Sequence, residues 1–272
     1  MKTIIKSTIL LVSCFVILSA CKQNYKQSTE TSADDKLTKE DIHKGIEKVV
    51  FPLPEPMNVY QMMQDIGAPY VGDVLNPVES IEKYFSSNVK AVNLGVYAAD
   101  LSYATIYDKK DAMDAYKGSL KTLIDDLGIK IDYKTLTSEE TKAKSANVDS
   151  LVSLTSKALY DIYDFLYTES DPAFAALMVN SYYIEGLYIA THISKETFDN
   201  IEMVKIIYGQ KKPLEELIKL NKNFADNQYI ETLQNALTKL KVMYDETDGS
   251  LNKKQLDTLT ATIETIRASL VS

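Results

Sequence analysis

Two rows of polar side chains interrupt stretches that are otherwise apolar. From Ala173 to Ile193, AFAALMVNSYYIEGLYIATHI, the residues Ser181, Glu185, Tyr188 and His192 follow at steps of four, three and four. Such steps place them on one face of a helix. In NVKAVNLGVYAADLSYATIY, Asn88 to Tyr107, the residues Asn93, Tyr97, Asp100 and Tyr107 share a face by the same arithmetic. A carboxylate among apolar neighbours is costly unless it is partnered, and tyrosine hydroxyls are natural donors to it. Two readings follow. One is a satisfied polar network that fixes how two core helices cross. The other is a pocket lined by tyrosines and two acids, suited to a polar or cationic small ligand. The network reading is preferred, with Glu185 satisfied by tyrosine hydroxyls or other polar groups, some of them from the Asn88 helix. Tyr160, Tyr163 and Tyr167, again at helical spacing, read first as core and second as a ligand platform.

No other chemistry has a local signature. The histidines are His43 and His192, with no HExxH and no close carboxylate–histidine repeat, so no metal site is expected. No glycine-rich phosphate loop occurs, and Gly128 and Gly209 read as helix C-caps. Nothing ties a serine to a histidine, and no cofactor is implied. The expectation is a protein that is not an enzyme. The formal charge is −8, and removing the first twenty residues, with Lys2 and Lys6, leaves −10. An acidic surface repels phosphate backbones, which argues against nucleic acid as a partner. Arg267 is the only arginine, so a bidentate anion clamp would have to be built without the usual residue.

The elements that carry these rows read as helices. Ser170 or Asp171 can cap the Ala173 helix, and Pro172 fits its first turn. This helix is apolar nearly all round and so belongs in the centre of a core. Its length approaches a bilayer span, but Asn180, Glu185 and His192 would be expensive in lipid. Around it the pattern predicts helices from Thr38 to Val50, Asn58 to Ile66, Asn76-Pro77 through Phe85, Asn88 to Tyr107, Lys110 to Leu127 and Thr137 to Tyr167. More follow from Phe198 to Tyr208, Pro213 to Phe224, Asn227 to Tyr244 and Lys253 to Leu270. Pro52, Pro54 and Pro56 are expected to break the chain. Ile129 to Tyr133 alternates like a strand but has no obvious partner and reads as loop. The fold expected is all-α, a bundle of about eight to ten helices around two buried ones. Both buried helices carry Gly-x-Tyr-x-Ala, at Gly95 and Gly186, an echo that suggests two related halves. Glycine within a helix costs about 1 kcal/mol against alanine, so each is expected to admit a closely crossing backbone.

Residues 1–20 read as an export signal, with Lys2 and Lys6 ahead of an apolar run from Ile9 to Leu18. Leu18-Ser19-Ala20-Cys21 resembles the bacterial lipobox, which implies acylation of Cys21 and attachment to a lipid membrane. Residues 21–36 read as a lipidated, flexible tether and residues 37–272 as a single helical domain. No aspartate follows Cys21 and no acidic cluster adjoins it, so by resemblance to known sorting rules the anchor belongs to the outer membrane, facing the periplasm. NPVESIEKYF, NLGVYAADLSYATIYDKK and YYIEGLYIATHI resemble a family of uncharacterised helical lipoproteins of Gram-negative bacteria. That resemblance implies fold and location and carries no catalytic residue across. The function classes left open are a scaffold that binds an envelope protein partner and a periplasmic small-molecule binder.

Overall fold

The computed structural model describes residues 55–131, 148–193 and 199–272. The helix expected at Thr38 to Val50, the capping signal at Thr137, His43 and everything around Cys21 lie outside the described residues. Within them the chain is all-α. Nine α-helices are present: α1 (Glu55–Asp65), α2 (Ser87–Ile106), α3 (Lys110–Asp126), α4 (Val148–Thr168), α5 (Pro172–His192), α6 (Ile201–Gly209), α7 (Lys211–Asn221), α8 (Gln228–Asp245) and α9 (Lys253–Leu270). Short 3-10 turns occupy Gly72–Val74, Val78–Lys83 and Lys222–Phe224.

Local chemistry accounts for the helix ends. Asp171 caps α5 by accepting the Ala173 N–H at 2.9 Å, and Pro172 takes the first turn, where a missing N–H costs nothing. Ser86 caps α2, Asn200 caps α6 and Asn227 caps α8. At α9, Asn252 and Gln255 form a reciprocal capping box. Gly128, with φ of +68°, closes α3 in the left-handed conformation that glycine adopts freely, and Ile129 N–H donates back to the Ile124 carbonyl at 3.0 Å.

Three sequence expectations need correction. Helix α1 starts at Glu55, three residues ahead of the Asn58 start expected for it, with Pro56 in its first turn. The segment after Asn76-Pro77 forms a 3-10 turn of six residues, Val78–Lys83, instead of an α-helix. Gly209 is the last residue of α6 and is not left-handed; α7 begins at Lys211, with Pro213 in its first turn.

Helices α2 and α5 form the most extensive pairing, and α5 also packs against α1, α4, α6, α7, α8 and α9. Burial follows from this placement. Every residue of α2 from Ala91 to Ile106 is buried, and so is nearly all of α5. What lets the two approach is Gly95. A Cβ there would stand 2.0 Å from the Met178 carbonyl oxygen and 2.2 Å from Ser181 Oγ. Gly186 does something different: the atom nearest its missing Cβ is the Tyr60 hydroxyl of α1, at 3.2 Å, so it makes room for a side chain and not for a backbone. The shared Gly-x-Tyr-x-Ala pattern thus sits in unlike surroundings in the two helices.

Candidate functional site

The polar rows of α2 and α5 meet at one carboxyl pair. Glu185 is fully buried, and both its oxygens are taken by the guanidinium of Arg267, Nε to Oε2 at 3.0 Å and Nη2 to Oε1 at 3.1 Å. Of the partners expected for Glu185, tyrosine hydroxyls or other polar groups, the second kind holds it. One expectation is corrected: the only arginine of the chain is itself a bidentate clamp, turned inward onto the protein's own carboxylate. Arg267 comes from α9, where it flanks the buried row Leu256, Leu259, Ile263 and Ile266. Its guanidinium lies over the Tyr188 ring, 4.6 Å from the centroid, and Tyr188 in turn stacks on His192 at 4.0 Å.

Asp100 on α2 is the second carboxyl and is also fully buried. Its Oδ2 accepts the Asn76 backbone N–H at 3.2 Å. Asn76 is itself held on both sides, its amide donating to the Tyr84 hydroxyl at 3.0 Å and its carbonyl accepting from the Tyr116 hydroxyl at 3.1 Å. Burial pushes the Asp100 carboxyl well above the usual carboxylate range, the neighbouring Glu185 charge pushes the same way, and Arg267 opposes both. Burial likewise raises Glu185, against the pull of Arg267. The two carboxyls lie close enough for each to shift the other's hold on its proton. Three buried polar atoms of this region have no hydrogen-bond partner in the protein: Asp100 Oδ1, Tyr60 Oη and Tyr182 Oη.

The remaining residues of the two rows are occupied elsewhere. Asn93 donates from its amide to the Val89 carbonyl of its own helix and to the Leu270 carbonyl at the end of α9, each at 3.0 Å. Tyr97 donates to the Pro77 carbonyl at 2.9 Å, and Tyr107 to the Ala68 carbonyl at 2.8 Å. Ser181 returns its hydroxyl to the Leu177 carbonyl at 2.9 Å. His192 donates from Nδ1 to the Tyr188 carbonyl at 2.8 Å, and burial lowers its ring below the ordinary histidine range. Tyr163 and Tyr167 of α4 are buried in the core with rings 6.0 Å apart, and Tyr160 lies 6.5 Å from Tyr163.

Sequence spacing brought out Asp100 and Glu185 but missed Arg267, Asn76, Tyr60 and Tyr182. It also missed a second internal tie, in which Asn180 of α5 and Asn221 of α7 exchange amide hydrogen bonds at 2.8 and 2.9 Å. Among the described residues no group of three or more histidine, cysteine, aspartate or glutamate side chains is placed to hold a metal ion, and no helix is long and apolar enough to cross a membrane. The arrangement is chemically a charge-balancing junction of α2, α5 and α9. Comparison with protein-family models, curated proteins and solved structures finds no match for this chain.

Proposed function

We propose that this protein is a non-enzymatic scaffold or partner-binding lipoprotein of the cell envelope, held on the periplasmic face of the outer membrane through acylated Cys21. The observation that supports this reading is the direction of the polar chemistry. Tyr97, Tyr107, Ser181 and Glu185, and Asn93 through its amide nitrogen, spend hydrogen bonds on the protein's own backbone or on Arg267. A row of side chains used in this way braces helices against one another. On this reading the surface helices make the contacts that matter to a partner. The anchor is tested by labelling with palmitate: wild type is expected to take up label and to fractionate with membranes, and Cys21→Ser to lose it. Label retained by Cys21→Ser at the wild-type level overturns the anchor. Crosslinking in native membranes followed by pull-down tests the partner, and recovery of the protein uncrosslinked counts against a scaffold.

A second reading, a small polar ligand held inside the bundle, is favoured by the orphaned Tyr60 and Tyr182 hydroxyls. Native mass spectrometry of protein purified from its own envelope separates the two, and the scaffold reading expects a mass without adduct.

A further inference from the structure

We propose that Asp100 and Glu185 hold one proton between them, carried on Asp100 Oδ1 and donated to the Glu185 carboxylate, which makes the junction of α2, α5 and α9 a proton-binding site.

Charge counting at the junction is the first support. Two carboxyls have no exposed surface, and the one guanidinium beside them is bound to Glu185. With both ionised, the junction would carry an unbalanced negative charge inside the core, and a buried group in that position neutralises instead. Geometry says which oxygen takes the proton. Both Glu185 oxygens already accept from Arg267, which favours its ionised form. Asp100 Oδ2 accepts the Asn76 N–H, and only Oδ1 is left without a protein donor. A proton on Oδ1 turns that orphan acceptor into a donor towards the Glu185 carboxylate, whose charge bears on Asp100. Loss of the proton to solvent would leave two carboxylates side by side against a single cation.

The groups that act on the pair come from four other elements as well as its own two helices. They are Tyr60 of α1, Tyr70 of the following loop, Tyr97 of α2, Tyr116 of α3, Tyr188 of α5 and Arg267 of α9, with Glu264 of α9 acting on Tyr188 and His192. Burial holds each of these tyrosines protonated beyond its ordinary range, and it lowers His192. Above neutral pH, His192 is therefore neutral in both the folded and the unfolded chain. Below about pH 9 the tyrosines of the set stay almost wholly protonated in both. Between these limits the carboxyl pair is the group of this set whose protonation differs between the folded and the unfolded chain.

The sign follows from linkage. The folded-state affinity for the proton is raised, so the folded chain keeps a proton that the unfolded chain has already released. Stability is then full below the unfolded carboxylate range, near pH 4, and falls as pH rises towards the folded value. One retained proton lowers the folding equilibrium constant about tenfold per pH unit.

The test is denaturant unfolding of the full-length chain from about pH 7 to about pH 9, at constant ionic strength, for wild type and Asp100→Asn. Wild type is expected to lose stability with the one-proton slope. Asp100→Asn, whose amide stays neutral and still donates to Glu185, is expected to lose that slope and to exceed wild type at the alkaline end. Infrared spectra of wild type near pH 8 stand independently of whether the variant folds. They are expected to show one protonated-carboxyl carbonyl stretch, sensitive to deuteration, where ordinary acids are fully ionised. Equal slopes in the two proteins, or the absence of that band, overturns the proposal. So does stabilisation of wild type by sodium, potassium or ammonium at fixed ionic strength, since a cation would then supply the missing charge.

Discussion

Glu185 and Arg267 stand 82 positions apart in the chain, and each explains how the other is buried. Removing one partner leaves a charge in the core, which typically costs about 3–5 kcal/mol. Arg267→Ala is therefore expected to destabilise by roughly that amount in urea unfolding at neutral pH. Arg267→Lys keeps the charge but loses the two-pronged geometry, so it should fall between Ala and wild type. The double variant Glu185→Leu, Arg267→Met removes both charges while keeping bulk, and it should be more stable than either single change. Simple additivity of the two losses would show that the residues are not coupled. The carboxyls were legible in the sequence because acids among apolar neighbours are conspicuous. Their partner was not, because a pairing between helices so distant leaves no local spacing. What signal there was lay in Arg267 being the only arginine in a chain whose other strong cations are all lysines, set beside the apolar row of the last helix. Asn76 was hidden for another reason: an Asn-Pro pair looks like a helix start, whereas here the asparagine is a buried bracket between Asp100, Tyr84 and Tyr116.

At the scale of elements, helix existence and the buried character of α2 and α5 were readable from apolar periodicity. Helix α9 spans Lys253–Leu270, the range its apolar spacing predicts, and α5 is displaced by a single residue at each end. Val78–Lys83 was misread because Pro77 and the acids after it suit the opening of either helix type, and six residues are too few to show a period. How closely α2 and α5 cross could be guessed from glycine but not measured. Gly95→Ala would drive a Cβ into the α5 backbone, which cannot yield as a flexible side chain would. A loss of about 3 kcal/mol or more is expected, towards the upper end for overpacked cores. Gly118 of α3 is the control, since a Cβ there meets nothing within 4 Å. Gly118→Ala should stabilise by about 0.5–1 kcal/mol through helix propensity alone. Thermal unfolding of both variants checks the contrast, and a similar midpoint for the two would mean that the crossing is looser than the structure describes.

Across the whole molecule, tyrosine fills the role that tryptophan and further polar residues leave vacant. The chain has 18 tyrosines and no tryptophan. Six of them, Tyr97, Tyr103, Tyr107, Tyr116, Tyr183 and Tyr244, donate to main-chain carbonyls at helix ends or in connecting segments: Pro77, Pro69, Ala68, Asn76, Gln210 and Ile207. Each ring adds apolar bulk to the core, while its hydroxyl brings a donor to a carbonyl at a helix end or in a connecting segment. This solution has a consequence at alkaline pH. Ionisation removes the donor and sets a phenolate against a carbonyl oxygen, so burial raises these groups, Tyr107 up to about 12 and Tyr103, Tyr116 and Tyr244 further. In the unfolded chain all of them release their protons near pH 10. Because the folded values lie above the unfolded one, the stabilisation is complete below about pH 10 and is lost as pH climbs past it. Helix α5 touches most of the other helices, so the loss should be cooperative rather than local. Absorbance titration is expected to show two phases. The first is a reversible ionisation of outlying tyrosines near pH 10, and the second is a steep one that coincides with loss of helical circular dichroism. A single smooth phase, in which all tyrosines ionise while the helical signal stays intact, would mean that these hydroxyls do not hold the connecting segments to the core.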